Sequence, residues 1–123
     1  MNGYELELNG VLLTFDADDA DEMERLENAL ALVSKEEKVI SDMKNDDTVK
    51  NSTVMRTYCK MYREFFTVLF GEETTAEIFK EVKATKFAPH EAAYIQFMGF
   101  VFAQKTALND KNQELLKKYY IKK

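Results

Sequence analysis

The sequence contains very few of the residues that build covalent or metal-bound scaffolds. Its 123 residues include one cysteine and one histidine. A lone cysteine cannot form a disulfide within the chain, and one cysteine with one histidine cannot supply the usual ligands of a structural zinc site. At this length a compact fold buries about two-thirds of the surface that the unfolded chain exposes. We therefore expect a single domain, residues 1–123, that folds without disulfide or metal in a reducing compartment.

Long apolar runs and an excess of positive charge are also missing. The most apolar stretch, "YIQFMGFVFA", is far shorter than the ~20 residues that span a bilayer, and no cleavable leader pattern precedes Tyr4. The formal net charge of -5 argues against binding a phosphate backbone. We expect a soluble, cytoplasmic protein that binds neither nucleic acid nor membrane.

Motifs that carry catalysis are absent as well. The chain has no glycine-rich phosphate loop, nucleophile elbow, HExxH or paired cysteines. Asp16, Asp18 and Glu27 match the first, third and twelfth positions of an EF-hand loop, but the position that needs glycine holds an aspartate. Cys59 and His90 would act as a nucleophilic pair only if the fold brought these two together. We expect no enzyme activity, no cofactor and no metal site.

What the sequence does contain begins with "YELELNGVLLTF", which predicts a β-hairpin within residues 1–16. Asn9 and Gly10 suit a two-residue type I′ turn. Apolar residues then share one face of the hairpin: Tyr4, Leu6, Leu8, Val11, Leu13 and Phe15. An isolated hairpin is marginal, so either the helical core covers this face or hairpins of several copies extend one another's sheet, and both can hold. We name these six residues as the candidate self-association surface.

The remaining residues, 17–123, predict a bundle of about four helices. "DADDADEMERLENALALVSKEEKVISDM" opens with aspartates that can cap a long helix, and "NDDTVKN" turns the chain into a second, strongly apolar helix. Gly71 suits the end of that helix, and Thr74 with Glu77 forms a capping box for a short third helix. Pro89 fits the first turn of the final helix, and "NDKNQ" is a candidate interruption of it.

Apolar residues surround the final helix on nearly all sides from Tyr94 to Ala103. This pattern indicates either a central helix or a helix that faces another subunit. The end of the chain, "LLKKYYIKK", is either a docking segment or a frayed helix end. The candidate partner-binding residues are Phe97, Phe100, Val101, Tyr119 and Tyr120, with burial in the core as the alternative for the first three.

Charge is unevenly distributed along the chain. Nine acidic residues from Glu5 to Glu27 are opposed only by Arg25, whereas lysines predominate after Asp110. This asymmetry allows head-to-tail attraction between subunits, although solvation of each end is the favoured interpretation.

Two segments resemble a known family. "YELELNGVLLTFD" followed by an acidic helix, and later "YREFFTVLFGEETTAEIF", resemble small tail-assembly proteins of long-tailed phages and prophages of Gram-positive bacteria. The resemblance covers most of the first two-thirds of the chain. Members of that family are tail assembly chaperones, which are thought to coat the tape-measure protein while the tail tube polymerises around it. The resemblance implies a mainly α, self-associating, non-enzymatic protein whose partner is a tape-measure or tail-tube protein in the bacterial host cell.

Two other functions fit the same residues. A small acidic phage-encoded inhibitor would use the run from Asp16 to Glu27 to imitate nucleic-acid phosphates and block a host defence enzyme that processes nucleic acid. A structural component would instead remain in the finished particle.

Overall fold

A computed structural model describes residues 3–118, and it has the predicted order of a β-hairpin followed by four helices. The elements are β1 (Glu5–Leu8), β2 (Val11–Thr14), α1 (Ala20–Lys44), α2 (Asn51–Phe70), α3 (Glu72–Ile78) and α4 (Phe87–Leu116). The prediction of a mainly α fold with an N-terminal hairpin is confirmed. Within the described range, no helix is both long enough and apolar enough to cross a membrane.

The hairpin has the predicted turn and register. Asn9 and Gly10 have φ angles of 50° and 81°, and positive values at both positions are what a type I′ turn requires. Leu8 lies opposite Val11, and the other pairs follow in step along the antiparallel ladder. The local sequence therefore sets both the turn and the face that each side chain occupies.

Side-chain hydrogen bonds join the hairpin to the helices, both at its turn and at its open end. At the turn, Asn9 Nδ2 donates a hydrogen bond to the Ile78 carbonyl at 2.9 Å. At the open end, the Gln104 side chain of α4 accepts from the Ala17 amide at 2.7 Å and donates to the Phe15 carbonyl at 2.7 Å. The hairpin is thereby held across α3 and α4.

Phe97 of α4 lies at the centre of the aromatic core. Its side chain has no exposed surface, and its ring packs edge to face on Phe15 of the hairpin at 5.5 Å between centroids. Three rings of α2, those of Phe65, Phe66 and Phe70, make similar contacts at 5.6–6.0 Å. Hairpin, α2 and α4 therefore share one core.

The beginning of α3 differs from the prediction. The helix begins at Glu72, directly after Gly71, so the predicted capping box at Thr74 and Glu77 is wrong. Gly71 adopts a φ of 89°, which a side chain would disfavour, and its carbonyl accepts from the Thr75 hydroxyl at 2.8 Å. The chain therefore turns within one residue and needs no separate cap.

The length of α4 also differs from the prediction. Pro89 lies in the first turn, as expected, but the helix continues through "NDKNQ" to Leu116 without interruption. That segment contains no proline or glycine, and its weaker helix formers are insufficient to stop a helix that is already propagating.

Candidate partner-binding surfaces

The apolar face of the hairpin is covered by the chain's own helices. Leu8, Leu13 and Phe15 are at most 2% exposed, and Leu6 and Val11 are half-buried against the same core. Only Tyr4, at the open end, remains 54% exposed. The prediction that this face joins copies together is therefore corrected: five of its six residues contribute to the core of a single chain, where their burial stabilises the fold.

Glu7 of β1 and Leu12 of β2 are exposed and lie opposite each other in the hairpin. Because the Phe15 amide donates to the Tyr4 carbonyl, alternation along the ladder places Glu7 and Leu12 in a pair that is not hydrogen-bonded. Their backbone amides and carbonyls point away from the opposite strand, and Leu12 is 57% exposed. Edge-to-edge pairing of hairpins from several copies, the other form of association that the sequence predicted, stays a prediction.

Two of the α4 residues predicted to contact a partner are core residues. Phe97 is fully buried and Val101 is 2% exposed, so neither can reach a partner while the bundle is intact. Phe100, in contrast, is half-buried and lines a groove. Tyr119 and Tyr120 lie outside the described residues.

The C-terminal half of α4 extends beyond the bundle. Val101 is the last buried residue of the helix, and the helix axis continues from there to Leu116 for about 22 Å. Over this part the side chains are exposed, except for Gln104 and Leu108, which are half-buried. Leu115, on the same side as the core positions, is 44% exposed. The face that α4 buries in the bundle thus continues into solvent.

A groove of about 540 Å³ lies between this projecting half of α4 and the open end of the hairpin. Its α4 wall is mainly apolar, and its other wall carries three acidic residues. The lining comprises Phe100, Ala103, Gln104, Ala107, Leu108 and Lys111 of α4 with Gly3, Tyr4, Glu5, Asp16 and Asp18. This apolar groove with an acidic rim is suited to binding an apolar segment that carries positive charge.

Gln104 builds one end of the groove, and the sequence analysis missed it. Besides its bonds to Ala17 and Phe15, its amide donates to the Gly3 carbonyl at 2.9 Å, so one side chain joins three backbone groups. The signal for it was a polar residue on the α4 face that carries Phe97 and Val101. A polar residue at a core position needs partners, and here the partners are the ends of the hairpin.

A second polar cluster is buried between α2 and α4. His90 has no exposed surface; its Nε2 accepts from Arg63 Nε at 2.8 Å, and its Nδ1 donates to the Lys86 carbonyl. The ring stacks on Phe79, over which the Arg63 guanidinium also lies. Burial lowers the pKa of His90, and the Arg63 charge lowers it further, against the opposing hydrogen bond to Lys86. The imidazole is thus held neutral.

This cluster has a structural role, and it does not pair His90 with Cys59. Both ring nitrogens of His90 are already engaged, so neither is left to take a proton from a thiol. Cys59 is itself buried, and burial raises the pKa of its thiol. Within residues 3–118 no three or more of the His, Cys, Asp and Glu side chains lie together in a way that could hold a metal ion.

The acidic run at the start of α1 is partly used for capping. Asp19 is the N-cap and accepts from the backbone amides of the first turn, while Asp16 accepts from the Asp18 amide at 2.8 Å. Because α1 begins at Ala20, the segment is helical where an EF-hand loop would wrap around its ion. In the part of this acidic run that lies in α1, the exposed acidic residues are Asp21, Glu24 and Glu27.

The fold and its surfaces define a small, mainly α protein with an N-terminal β-hairpin and an apolar groove between that hairpin and a projecting last helix. The chain belongs to DUF6673, a family of unknown function whose family model matches residues 9–123. No curated protein and no solved structure matches the chain. Its function is therefore argued from its own surfaces.

Proposed function

We propose that this protein is a non-enzymatic, self-associating tail assembly chaperone that holds a helical segment of a tape-measure protein in the groove between the hairpin and α4. The observation that carries the proposal is the projecting half of α4. Its apolar wall faces the open end of the hairpin, and the groove between them has a volume of about 540 Å³. The resemblance of the hairpin and of "YREFFTVLFGEETTAEIF" to tail assembly proteins supports the same role.

The spacing along the α4 wall suits a helical client. Phe100, Ala103 and Ala107 recur at the three- and four-residue steps that place side chains on one helix face, and Leu108 lies next to Ala107 at the edge of that face. The two alanines allow a second helix to approach closely, and Phe100 and Leu108 supply apolar area on either side. An amphipathic helix laid along this wall would bury its apolar face as in other helix-in-groove complexes.

The rim of the groove favours a client helix with basic residues. Asp16 and Asp18 lie on the hairpin side, and Lys111 lies on the α4 side. Contacts between exposed charges are weak and are screened by salt. Weak contacts suit a chaperone, because it must release the tape-measure protein as the tail tube replaces it.

The test is the binding of tape-measure peptides to a variant with a charge in the groove. Ala107→Glu changes an exposed residue of the apolar wall, so the fold should be preserved while peptide affinity falls by about tenfold. The matched control is Val39→Glu, which introduces the same charge at an exposed apolar position of α1. Isothermal titration calorimetry measures the affinity of both variants for overlapping helical peptides that together cover the tape-measure protein. Equal affinities for Ala107→Glu and Val39→Glu would contradict the groove as the binding site.

The inhibitor is the second proposed function, and the exposed acidic residues beside the α1 N-terminus support it. Asp21→Lys with Glu24→Lys reverses two of these charges, and it leaves the capping residue Asp19 and the groove residues Asp16 and Asp18 in place. An inhibitor that imitates phosphates should lose its activity against a nucleic-acid-processing enzyme, whereas the chaperone should bind tape-measure peptides as before. Inhibition that is unchanged by the reversal would remove this second function.

A further inference from the structure

The outer side of α4 carries a continuous uncharged stripe that points away from the core. Its members recur at alternating steps of four and three residues and are all exposed: Ala88, Ala92, Ile95, Gly99, Phe102 and Thr106. Each residue turns the helix by about 100°, so this outer stripe lies opposite Phe97, and it spans about 27 Å along the axis. It is a different surface from the groove.

Two large hydrophobic side chains of the outer stripe lie in solvent. Phe102 is 73% exposed, more than any other large hydrophobic residue of the described chain, and Ile95 is 59% exposed. Between them, a Cβ placed on Gly99 would meet no atom within 4 Å. No described part of the chain covers this surface, and exposed apolar area of this kind marks an interaction site.

We propose that the outer stripe binds the outer stripe of a second copy of this chain, with the two α4 helices antiparallel. In one antiparallel register each large residue meets a small one: Ile95 lies against Gly99 of the partner subunit, and Phe102 lies against Ala92 of the partner subunit. The two-fold symmetry repeats both contacts. Large residues facing small ones allow the side chains to interdigitate without voids.

Charge complementarity supports a second copy as the occupant. Glu91 and Lys105 flank the same side of the outer stripe, and neither belongs to an ion pair within residues 3–118. In the register given above, Glu91 lies beside Lys105 of the partner subunit, and symmetry forms the pair twice. A parallel two-fold arrangement would instead place the Glu91 and Lys105 flanks of the two helices on opposite sides of the interface, so neither pair could form.

This inference rests on the self-association in the proposed function and does not depend on the client. The contact involves one helix face from each chain, which is at the small end of specific interfaces. We therefore expect a dimer that dissociates on dilution. Both bundles lie on the far sides of the helix pair, so the two grooves stay open.

The direct test is sedimentation equilibrium of the full chain and of Phe102→Glu. Phe102→Glu places an unpaired carboxylate in the apolar contact and should raise the dimer dissociation constant by about tenfold or more, while the exposed position leaves the fold intact. Val39→Glu is the control for added charge and should dimerise like the wild type. Dimerisation that is the same for Phe102→Glu and Val39→Glu would overturn the proposal.

A charge swap tests the antiparallel register. Glu91→Lys and Lys105→Glu should each weaken the dimer several-fold, and the double variant should restore it. The two residues lie about 21 Å apart on one helix, so restoration can arise only between copies. A double variant as weak as the single ones would exclude this register.

The same variants separate this inference from the proposed function. Phe102→Glu should bind tape-measure peptides with wild-type affinity at concentrations where it is monomeric. If it is monomeric and still binds, both proposals stand; if the wild type dimerises through the outer stripe but binds no peptide, only the client proposal fails.

Discussion

At the scale of single residues, the buried polar side chains show how the elements are held together. His90 accepts from Arg63 of α2 and donates to the Lys86 carbonyl, so it links two helices while remaining neutral. A buried hydrogen-bonded pair of this kind contributes only while both partners keep the required protonation state. The cluster therefore makes the stability of the fold sensitive to pH.

The sign of this effect follows from the lowered pKa of His90. The unfolded chain takes up a proton as the pH falls through 6.5, the ordinary value, whereas the buried imidazole does not until a lower pH. The unfolded state then binds more protons, so the free energy of unfolding should fall by at most about 1.4 kcal/mol per pH unit over that window. Denaturant unfolding from pH 8 to pH 5 measures it, and His90→Gln should flatten this part of the profile. A wild-type profile with no steeper fall than that of His90→Gln would contradict this account.

Gln104 is the residue on which the open end of the hairpin depends. Gln104→Ala leaves the Ala17 amide and the Phe15 carbonyl without their partner, so the free energy of unfolding should fall by about 1–3 kcal/mol. Gln104→Glu is the informative comparison, because a carboxylate still accepts from Ala17 but cannot donate to the two carbonyls. The midpoint temperature of thermal unfolding should be no higher for Gln104→Glu than for the wild type. Stability unaffected in both variants would show that solvent replaces these bonds.

At the scale of elements, the hairpin shows how much local sequence determines. The Asn9–Gly10 turn and the alternation around it predicted the strands, the register and the buried face, because turn chemistry and side-chain period are both local properties. The sequence did not predict which residues cover that face. Phe15 of the hairpin packs on Phe97, which is far away in the sequence, and local patterns do not report such contacts.

For the last helix, the sequence did not predict which apolar residues face the bundle and which face solvent. Its apolar residues predicted contact on more than one side, but they did not show which of them face the bundle. Phe97 and Val101 are core residues, while Phe102 is exposed and Phe100 lines the groove. That assignment depends on where the helix meets α2 and the hairpin, and so does the extension of α4 past Val101. The groove could not be predicted, because it is formed by residues far apart in sequence.

The strand edge makes a prediction at the same scale. Leu12→Pro removes an amide that points away from the opposite strand, so the ladder within the hairpin should persist while pairing between copies at this edge is blocked. Leu12→Thr is the control, since it changes the side chain and keeps the amide. If dimerisation occurs through α4, light scattering should give both variants the wild-type mass. A loss of association in Leu12→Pro alone would assign the contact to the hairpin instead.

At the scale of the whole molecule, the two ends of the uneven charge distribution meet in one chain. Asp16 and Asp18 from the acidic start line the same groove as Lys111 from the lysine-containing end of α4. Residues of opposite charge from the two ends of the sequence therefore already lie close together within one chain, without a second subunit. The groove and the outer stripe are two separate surfaces of α4, and we propose a different partner for each.

We propose that this protein associates with copies of itself in order to hold a client. Size-exclusion chromatography with light scattering, repeated over a wide range of protein concentration, tests the claim most directly. We expect a mass that rises with concentration from the 14.3 kDa of one chain to twice that value. A mass of one chain at every concentration would contradict it.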